Sequence, residues 1–318
     1  MVAMSKTKKP NLISLADISA NTLTQILDLA KELKKKPLSK SSFLKNKSIA
    51  LIFAKPSLRT RVSFEVGINH FGGNPITIKM DEISVGIREN VEDIGNVLSK
   101  YVSAIVIRTF EQKQIEELGK FSHVPVINAL SNEEHPCQII SDLFTIKEIF
   151  NGLSGLKLAY IGDGNNVAQS LILGCALANM DISVASPKGY LLNKYYVEAA
   201  KKINPEIKIE LTTNPKLAAK SANILYTDAW VSMGQEKELR KRVKIFKLYQ
   251  INDELLSYAD KKAITLHCLP AHKDQEISGK VFERFSEIIY QQAENRLHAQ
   301  KAILMKLIDN KKCINQFY

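Results

Sequence analysis

The fold can be predicted from residues 48–73, SIALIFAKPSLRTRVSFEVGINHFGG. The segment opens with Ser48–Phe53, an apolar run of the kind found in strands that are buried on both faces of a parallel sheet. A turn follows at 55–57, and residues 60–70 have a helical pattern that ends at Gly72-Gly73. A buried strand that leads through a tight turn into a helix predicts an α/β protein.

The alternation of strands and helices continues on both sides of this segment. An amphipathic helix is predicted at about 21–35, with Ser19 or Asn21 as its cap and Pro37 as its stop. The further predicted strands are 104–107, 125–127, 157–161, 182–185, 209–211, 224–227 and 263–266. The further helices are 112–120, 136–150, one that follows the turn 162–166 and runs through 179, 193–203, 216–220 and 291–308. Such alternation predicts parallel sheets with helices on both faces.

The chain is long enough for two units of this kind. Its 318 residues are about twice the length of a typical domain. The alternation restarts after Asn151-Gly152. We therefore expect two doubly wound parallel-sheet domains of the α/β class.

Composition predicts a soluble, cytoplasmic protein. Hydrophobic residues are 45% and charged residues 24% of the chain, as in globular proteins. No run approaches the roughly 18 apolar residues of a membrane helix, and the basic N-terminus lacks the apolar core of a secretory signal. The cysteines, which form no CxxC pair, are expected to be free thiols; they are Cys137, Cys175, Cys268 and Cys313.

The net charge of +11 is compatible with a nucleic-acid partner, with small anionic substrates or with a solvated basic face. The excess of cations lies in the N-terminal tail and in residues 31–47, where lysines end the first predicted helix. No aromatic residues are interleaved to stack on bases. We therefore favour a solvated basic face and expect no nucleic-acid partner.

Candidate binding residues lie at strand-to-helix turns, where ligands bind in open parallel sheets. Residues 57–61, SLRTR, offer hydroxyls, two guanidinium groups and the N–H groups of a helix start, which together predict a phosphate site. The alternative is a capped surface helix with its arginines in solvent. Arg108 ends a buried strand and points into the same crevice.

A second turn, residues 135–138 (HPCQ), opens the long helix with proline at a favourable position. His135 and Gln138 share one face of its first turn and could hold a carbonyl oxygen. A purely structural histidine is the alternative.

Three turns in the second half could hold a further ligand. Residues 162–166, GDGNN, resemble a dinucleotide turn, but Val167 occupies the third glycine position and no acid follows the next strand, so no nicotinamide cofactor is expected. Asn166 places an amide there instead. Asp228 and Cys268 follow two other strands, with a helix cap and a small buried hydrophobe as their alternatives.

Taken together, these segments resemble the aspartate and ornithine carbamoyltransferases. The similarity covers nearly the whole chain, in order and at appropriate spacing. The matching segments are the phosphate signature 53–65 (FAKPSLRTRVSFE), HPCQ at 135–138, HCLP at 267–270, and, for the ornithine branch, Asp228 with SMG at 232–234 and AENR at 293–296.

The resemblance implies transfer of the carbamoyl group of carbamoyl phosphate to the δ-amine of ornithine, giving citrulline and phosphate. The neutral amine attacks the carbamoyl carbon while donors stabilise the carbonyl oxygen, without a metal or cofactor. A homotrimer, or a higher assembly of trimers, with sites at the subunit interfaces is expected. A carbamoyltransferase for putrescine or an acylated ornithine is the alternative.

The resemblance also implies which residues bind each of the two substrates. Residues 1–150, joined by a C-terminal helix at 291–318 that packs back on them, would bind carbamoyl phosphate, and residues 151–290 would bind ornithine. The carbamoyl phosphate residues would be Ser57, Leu58, Arg59, Thr60, Ser84, Arg108, His135, Gln138, Cys268, Leu269 and Arg296, with Arg59, Arg108, His135 and Cys268 catalytic. The ornithine residues would be Asn166, Asp228, Ser232 and Met233. A cis peptide before Pro270 would shape the loop on which Cys268 and Leu269 offer backbone carbonyls.

One segment departs from the family pattern. Residues 84–89 read SVGIRE, with Ser84 where ornithine enzymes often have a glutamine that reaches the neighbouring subunit's phosphate site. Arg88, with a longer charged side chain, either replaces that contact in part or is a solvated interface residue.

Overall fold

The computed structural model describes residues 9–36, 42–83, 89–231 and 236–308. Two sheets, in which all strand pairs are parallel, form the framework. The first contains β1 (Ser48–Phe53), β2 (Asn74–Lys79), β3 (Ala104–Arg108) and β4 (Val126–Leu130), and the second contains β5 (Lys157–Ile161), β6 (Asp181–Ala185), β7 (Ile209–Thr212), β8 (Ile224–Thr227) and β9 (Ile264–His267).

Helices connect these strands and cover them. The helices of the first unit are α1 (Ala20–Lys35), α2 (Leu58–His70), α3 (Met80–Ile83), α4 (Val91–Tyr101), α5 (Gln112–Phe121) and α6 (Pro136–Phe150). Those that follow are α7 (Asn166–Ala178), α8 (Lys194–Ile203), α9 (Pro215–Ala219), α10 (Leu239–Phe246), α11 (Asp253–Leu256) and α12 (Gly279–Ile308). The predicted α/β class with two doubly wound sheets is confirmed, and no described helix is long and apolar enough to cross a bilayer.

Strand order fixes where a ligand can bind. The first sheet has the order β2-β1-β3-β4 and the second β7-β6-β5-β8-β9. The order in which strands are added therefore reverses between β1 and β3 in the first sheet and between β5 and β8 in the second. Crevices form at the carboxyl ends of such strand pairs, where residues 57–61, Arg108, residues 162–166 and Asp228 lie.

The last helix joins the two units. It begins at Gly279 rather than at the predicted 291, and residues 309–318 lie outside the described part of the chain. Val281 and Ile289 near its start pack in the core of the second unit. Further along, α12 packs against α1, α2 and α6, so the predicted return of this helix to the first unit is confirmed.

Several described elements escaped prediction, namely the helices α3, α4 and α11 and two further elements, β2 and α10, whose sequences are not continuously apolar. The strand β2 (NPITIK) is a half-exposed edge strand that contains Pro75. Proline has no N–H to donate to a neighbouring strand, so within sheets it occurs mainly in edge strands. Half of the residues of helix α10 (LRKRVKIF) are charged, and only Arg242 and Phe246 are buried.

The two units share one apolar core. Residues of α6 and α7 belong to the same buried cluster, which extends into both sheets. Gly174 lets the helices approach closely, since a Cβ there would lie 2.5 Å from Ile139 Cγ2. The framework that holds the two sheets is therefore tightly packed behind the crevices.

Candidate active site

A cleft of about 860 Å³ lies between the two units. Every predicted site residue within the described part of the chain lines it: Ser57, Leu58, Arg59, Thr60, Arg108, His135, Gln138, Asn166, Asp228, Cys268, Leu269 and Arg296. The remaining predicted residues, Ser84, Ser232 and Met233, lie outside the described residues, as does Arg88.

The start of α2 forms one wall of the cleft. Ser57 is its N-cap in an extended conformation, and its side chain makes no capping hydrogen bond. The first N–H groups of a helix lack partners within the helix and carry partial positive charge. Arg61, by contrast, is exposed and pairs with Glu65, so only the first part of the SLRTR turn faces the cleft.

Three arginines concentrate positive charge beside this helix start. Thr60, only 1% exposed, accepts hydrogen bonds at Oγ1 from Arg296 Nη2 (2.9 Å) and Arg108 Nη1 (3.4 Å). Arg59 Nη2 donates to the Leu269 carbonyl (2.7 Å). Burial, then the charges of Arg296 and Arg59, lower the pKa of Arg108 to about 10. The arginines stay charged at neutral pH and suit a phosphate.

The imidazole of His135 is neutral at physiological pH. Burial lowers its pKa well below the usual range, and the nearby charges of Arg296, Arg108 and Arg59 lower it further. Its Nδ1 is buried with no hydrogen-bond partner among the described residues, and its backbone N–H donates to Ser170 Oγ (2.8 Å). A neutral imidazole can donate one hydrogen bond and accept one.

Gln138 turns its oxygen, rather than its NH₂ group, toward the arginines of the cleft. Its Oε1 accepts a hydrogen bond from Arg296 Nη1, and its Nε2 donates to Asp142 Oδ1 (2.8 Å). The sequence predicts a shared role for His135 and Gln138 at a carbonyl oxygen. The observed orientation suits Gln138 to an N–H donor instead.

Asp228 and Cys268 face this group from the second unit. The thiol of Cys268 donates to Asp228 Oδ1 (3.0 Å), while Asn165 Nδ2 donates to Asp228 Oδ2 (2.9 Å). Burial, then the charge of Asp228, raise the pKa of Cys268 well above its usual range. The raised pKa keeps Cys268 a neutral thiol. Since the thiolate is the nucleophilic form of cysteine, Cys268 does not act as a nucleophile here.

The loop after Cys268 has the expected backbone. The Leu269–Pro270 peptide is cis, and Leu269 has a φ of 57°. The Leu269 N–H donates to His267 Nδ1 (2.9 Å), and His267 Nε2 bonds to the buried Glu276 (3.0 Å). These contacts direct the Leu269 carbonyl toward Arg59.

Asn166 links the units at the edge of the cleft. Its Nδ2 donates to the carbonyl of Ser131 (2.7 Å). The neighbouring Gly164 has a packing role, since a Cβ there would lie 2.4 Å from the backbone N of Leu192. Asp163 pairs with the buried Arg242. The resemblance of this turn to a dinucleotide motif is therefore explained by packing.

The wall of the cleft also contains a lysine, Lys55, that was not among the predicted site residues. Lys55 Nζ donates to Asn132 Oδ1 (2.6 Å) and lies 4.2 Å from the centre of the Phe110 ring. Burial, then the charge of Arg108, lower its pKa to about 8. Its position in the turn between β1 and α2 is the sequence feature from which a place in the cleft could have been predicted. Among the described residues, no three His, Cys, Asp or Glu side chains are grouped to hold a metal.

Comparison with known families matches both halves of the chain. Residues 10–148 match the family model described as "Aspartate/ornithine carbamoyltransferase, carbamoyl-P binding domain". Residues 154–307 match "Aspartate/ornithine carbamoyltransferase, Asp/Orn binding domain". The chain belongs to the aspartate/ornithine carbamoyltransferase family. Every described site residue of this carbamoyltransferase lies within one of the two matched ranges.

Individual relatives are similar over almost their full length. The "Ornithine carbamoyltransferase" of Nostoc punctiforme is 47% identical over 299 residues, covering 94% of this chain and 97% of the relative. That of Archaeoglobus fulgidus is 46% identical over 300 residues, with the same coverage. Among solved structures, the ornithine carbamoyltransferase from Pyrococcus furiosus has a TM-score of 0.90 at 40% identity, covering 96% of this carbamoyltransferase and 99% of that chain.

Proposed function

We propose that this protein is an ornithine carbamoyltransferase, which moves the carbamoyl group of carbamoyl phosphate to the δ-amine of ornithine and releases citrulline and phosphate. One observation carries the proposal. An arginine-rich helix start on the first unit and a carboxylate on the second, Asp228, face the same cleft. The first suits a phosphate and the second an α-ammonium group.

Carbamoyl phosphate binds to the first unit, which consists of residues 1–150 and the C-terminal segment 291–318. Ser57, the backbone of Leu58, Arg59, Thr60 and Arg108 hold its phosphate. His135 and Arg59 donate to the carbonyl oxygen, where negative charge gathers in the transition state. Gln138 Oε1 and the backbone carbonyls of Cys268 and Leu269 accept from the carbamoyl NH₂, and Arg296 completes this end of the site.

Ornithine binds to the second unit, residues 151–290. Asp228 pairs with the α-ammonium group and Asn166 binds near the α-carboxylate; Ser232 and Met233 complete this predicted set. The attacking δ-amine must be neutral, although a free amine of this type has a pKa near 10. The three arginines would lower that pKa, because a protonated δ-ammonium group beside three positive charges is unfavourable. The bond between the δ-nitrogen and the carbamoyl carbon forms, the C–O bond breaks, and phosphate leaves with the proton that the attacking amine gives up.

The assembly and location stay predictions from the family resemblance. We propose a cytoplasmic homotrimer in which Ser84, or in part Arg88, of a neighbouring subunit reaches the phosphate. A transferase for putrescine is the alternative, but putrescine has no α-ammonium group to pair with Asp228.

Two neighbouring arginines test the site. Arg59→Ala should lower kcat/KM for citrulline formation by roughly 100- to 1000-fold, because a donor to the developing oxyanion is lost. Arg61→Ala is the matched control and should stay within about threefold, because it removes only a surface ion pair with Glu65. Equal effects of the two changes would contradict the assignment.

A further inference from the structure

A buried carboxylate lies behind the cleft, and the proposed chemistry does not use it. Asp142, on α6 one turn after Gln138, is 0% exposed. Gln138 Nε2 and Gln292 Nε2 each donate to Asp142 Oδ1 at 2.8 Å. The hydroxyl of Tyr226 donates to Oδ2 at 2.8 Å. Each donor comes from a different part of the fold.

The charge of Asp142 decides how two amides are turned. An ionised carboxylate can only accept hydrogen bonds, so each amide must point its NH₂ group at Asp142 and its oxygen away. The oxygen of Gln138 then meets Arg296 Nη1 in the cleft. The oxygen of Gln292 accepts the backbone N–H of His267 (3.0 Å), directly before Cys268.

The third contact reaches the strand that leads to Asp228. Tyr226 is fully buried in β8, two residues before Asp228. One carboxylate on the first unit therefore holds side chains next to the groups on both sides of the cleft. A purely structural carboxylate would not need hydrogen-bond partners that either line the cleft, as Gln138 does, or adjoin cleft residues in sequence or by contact, as Gln292 and Tyr226 do.

We propose that Asp142 is a positioning residue for carbamoyl transfer: it presents the oxygen of Gln138 to the carbamoyl NH₂ group and, through Gln292, fixes the strand end that carries Cys268. The inference rests on the proposed function. An asparagine at this position could donate as well as accept, so both amides could turn over. Gln138 would then present N–H groups where the substrate also has N–H groups.

The test compares Asp142→Asn with Thr145→Val, a matched control on the same helix. Thr145 is also 0% exposed, and its hydroxyl bonds with Asn295 Nδ2 (2.9 Å) instead of Gln138. We expect kcat of Asp142→Asn to fall at least about tenfold, because charge-assisted hydrogen bonds are lost. Phosphate affinity should change by less than about threefold, because Ser57 and Arg59 do not contact Asp142. Thr145→Val should keep kcat within about twofold even if its Tm falls.

A double-mutant cycle separates positioning from folding. In the Gln138→Ala background, Asp142→Asn should cost clearly less activity than in the parent, because the two residues act together. If Asp142→Asn does not fold, Gln292→Met decides; its kcat is expected to fall, because Gln292 holds the strand end whose Cys268 carbonyl accepts from the carbamoyl NH₂ group. An equal loss in both backgrounds, an unchanged kcat of Asp142→Asn, or unchanged constants of Gln292→Met overturns the proposal. Citrulline formation by the parent, measured first, tests the proposed function separately.

Discussion

At the scale of single residues, burial and neighbouring charge set the protonation of the cleft. Three arginines help to keep His135 neutral, and Asp228 helps to keep the Cys268 thiol protonated. Neutral donors can form hydrogen bonds to a carbonyl oxygen as it gains charge without a competing proton transfer. This environment suits a reaction that needs polarisation and alignment rather than a covalent intermediate.

Asp228 carries the first prediction. Asp228→Asn keeps the shape of the side chain but removes its charge, so a desolvated α-ammonium group would lose its partner. We expect kcat/KM for ornithine to fall by about 100-fold or more, equivalent to roughly 3 kcal/mol. Asp253→Asn, which changes only an exposed carboxylate paired with Lys280 and Arg284, is the control. Parental turnover in Asp228→Asn would refute the assignment.

Glu134 carries a prediction on pH. Burial raises its pKa from 4.5 to about 7, so between these values the folded chain binds more protons than the unfolded chain. Its contribution to stability is therefore complete below 4.5 and is lost as pH rises through 7, at a cost of about 3 kcal/mol. Glu134→Gln should raise the free energy of unfolding at about pH 8, with a gain that shrinks toward about pH 5. A gain that grows on acidification would contradict this.

At the scale of elements, the buried apolar strands could be predicted, and of the two half-exposed strands β7 was predicted at 209–211 whereas β2 was not. The bounds of β1, β5 and β8 were predicted correctly because these strands are short apolar runs. The strand β2 was missed because its side chains are half-exposed and one is proline, and α10 because half of its residues are charged and only Arg242 and Phe246 are buried. Tertiary contacts, which local sequence does not encode, stabilise these elements.

The site residues likewise divide into those that the sequence predicted and those that depend on contacts between distant segments. Motifs at strand ends identified Arg59, Arg108, His135, Asp228 and Cys268, because parallel topology brings such ends together. Arg296, which lies in α12, came from the family resemblance. Lys55 was missed because its burial depends on Phe110 and Asn132, which are distant in sequence. Asp142 was missed because it lies within a helix that is otherwise read as apolar core.

Packing of α6 on α7 carries a prediction on stability. A Cβ at Gly174 would lie 2.5 Å from Ile139 Cγ2, so Gly174→Val should destabilise the fold by roughly 1–3 kcal/mol or more through overpacking. Gly152→Ala is the control, since nothing lies within 4 Å of its added Cβ. Denaturant unfolding would measure both. A Gly174→Val variant as stable as Gly152→Ala would show that the helices can separate at little cost.

At the scale of the whole molecule, substrate groups on two units imply closure of the cleft. Arg59 and Leu269 already bond across it, and carbamoyl phosphate would compete for that arginine. We expect carbamoyl phosphate to bind the free enzyme and ornithine to bind well only afterwards, because the first ligand completes the second site. Calorimetry that finds equally tight ornithine binding without carbamoyl phosphate would contradict this order.

The central claim, transfer to ornithine, is tested most directly by an amine panel. The purified protein is given carbamoyl phosphate with ornithine, putrescine or an Nα-acylated ornithine, and the carbamoylated product and phosphate are both quantified. The account predicts citrulline and phosphate in equal amounts, with ornithine preferred by about 100-fold or more, because only ornithine pairs its α-ammonium group with Asp228. Faster transfer to putrescine or to the acylated amine, or phosphate release without citrulline, would contradict it.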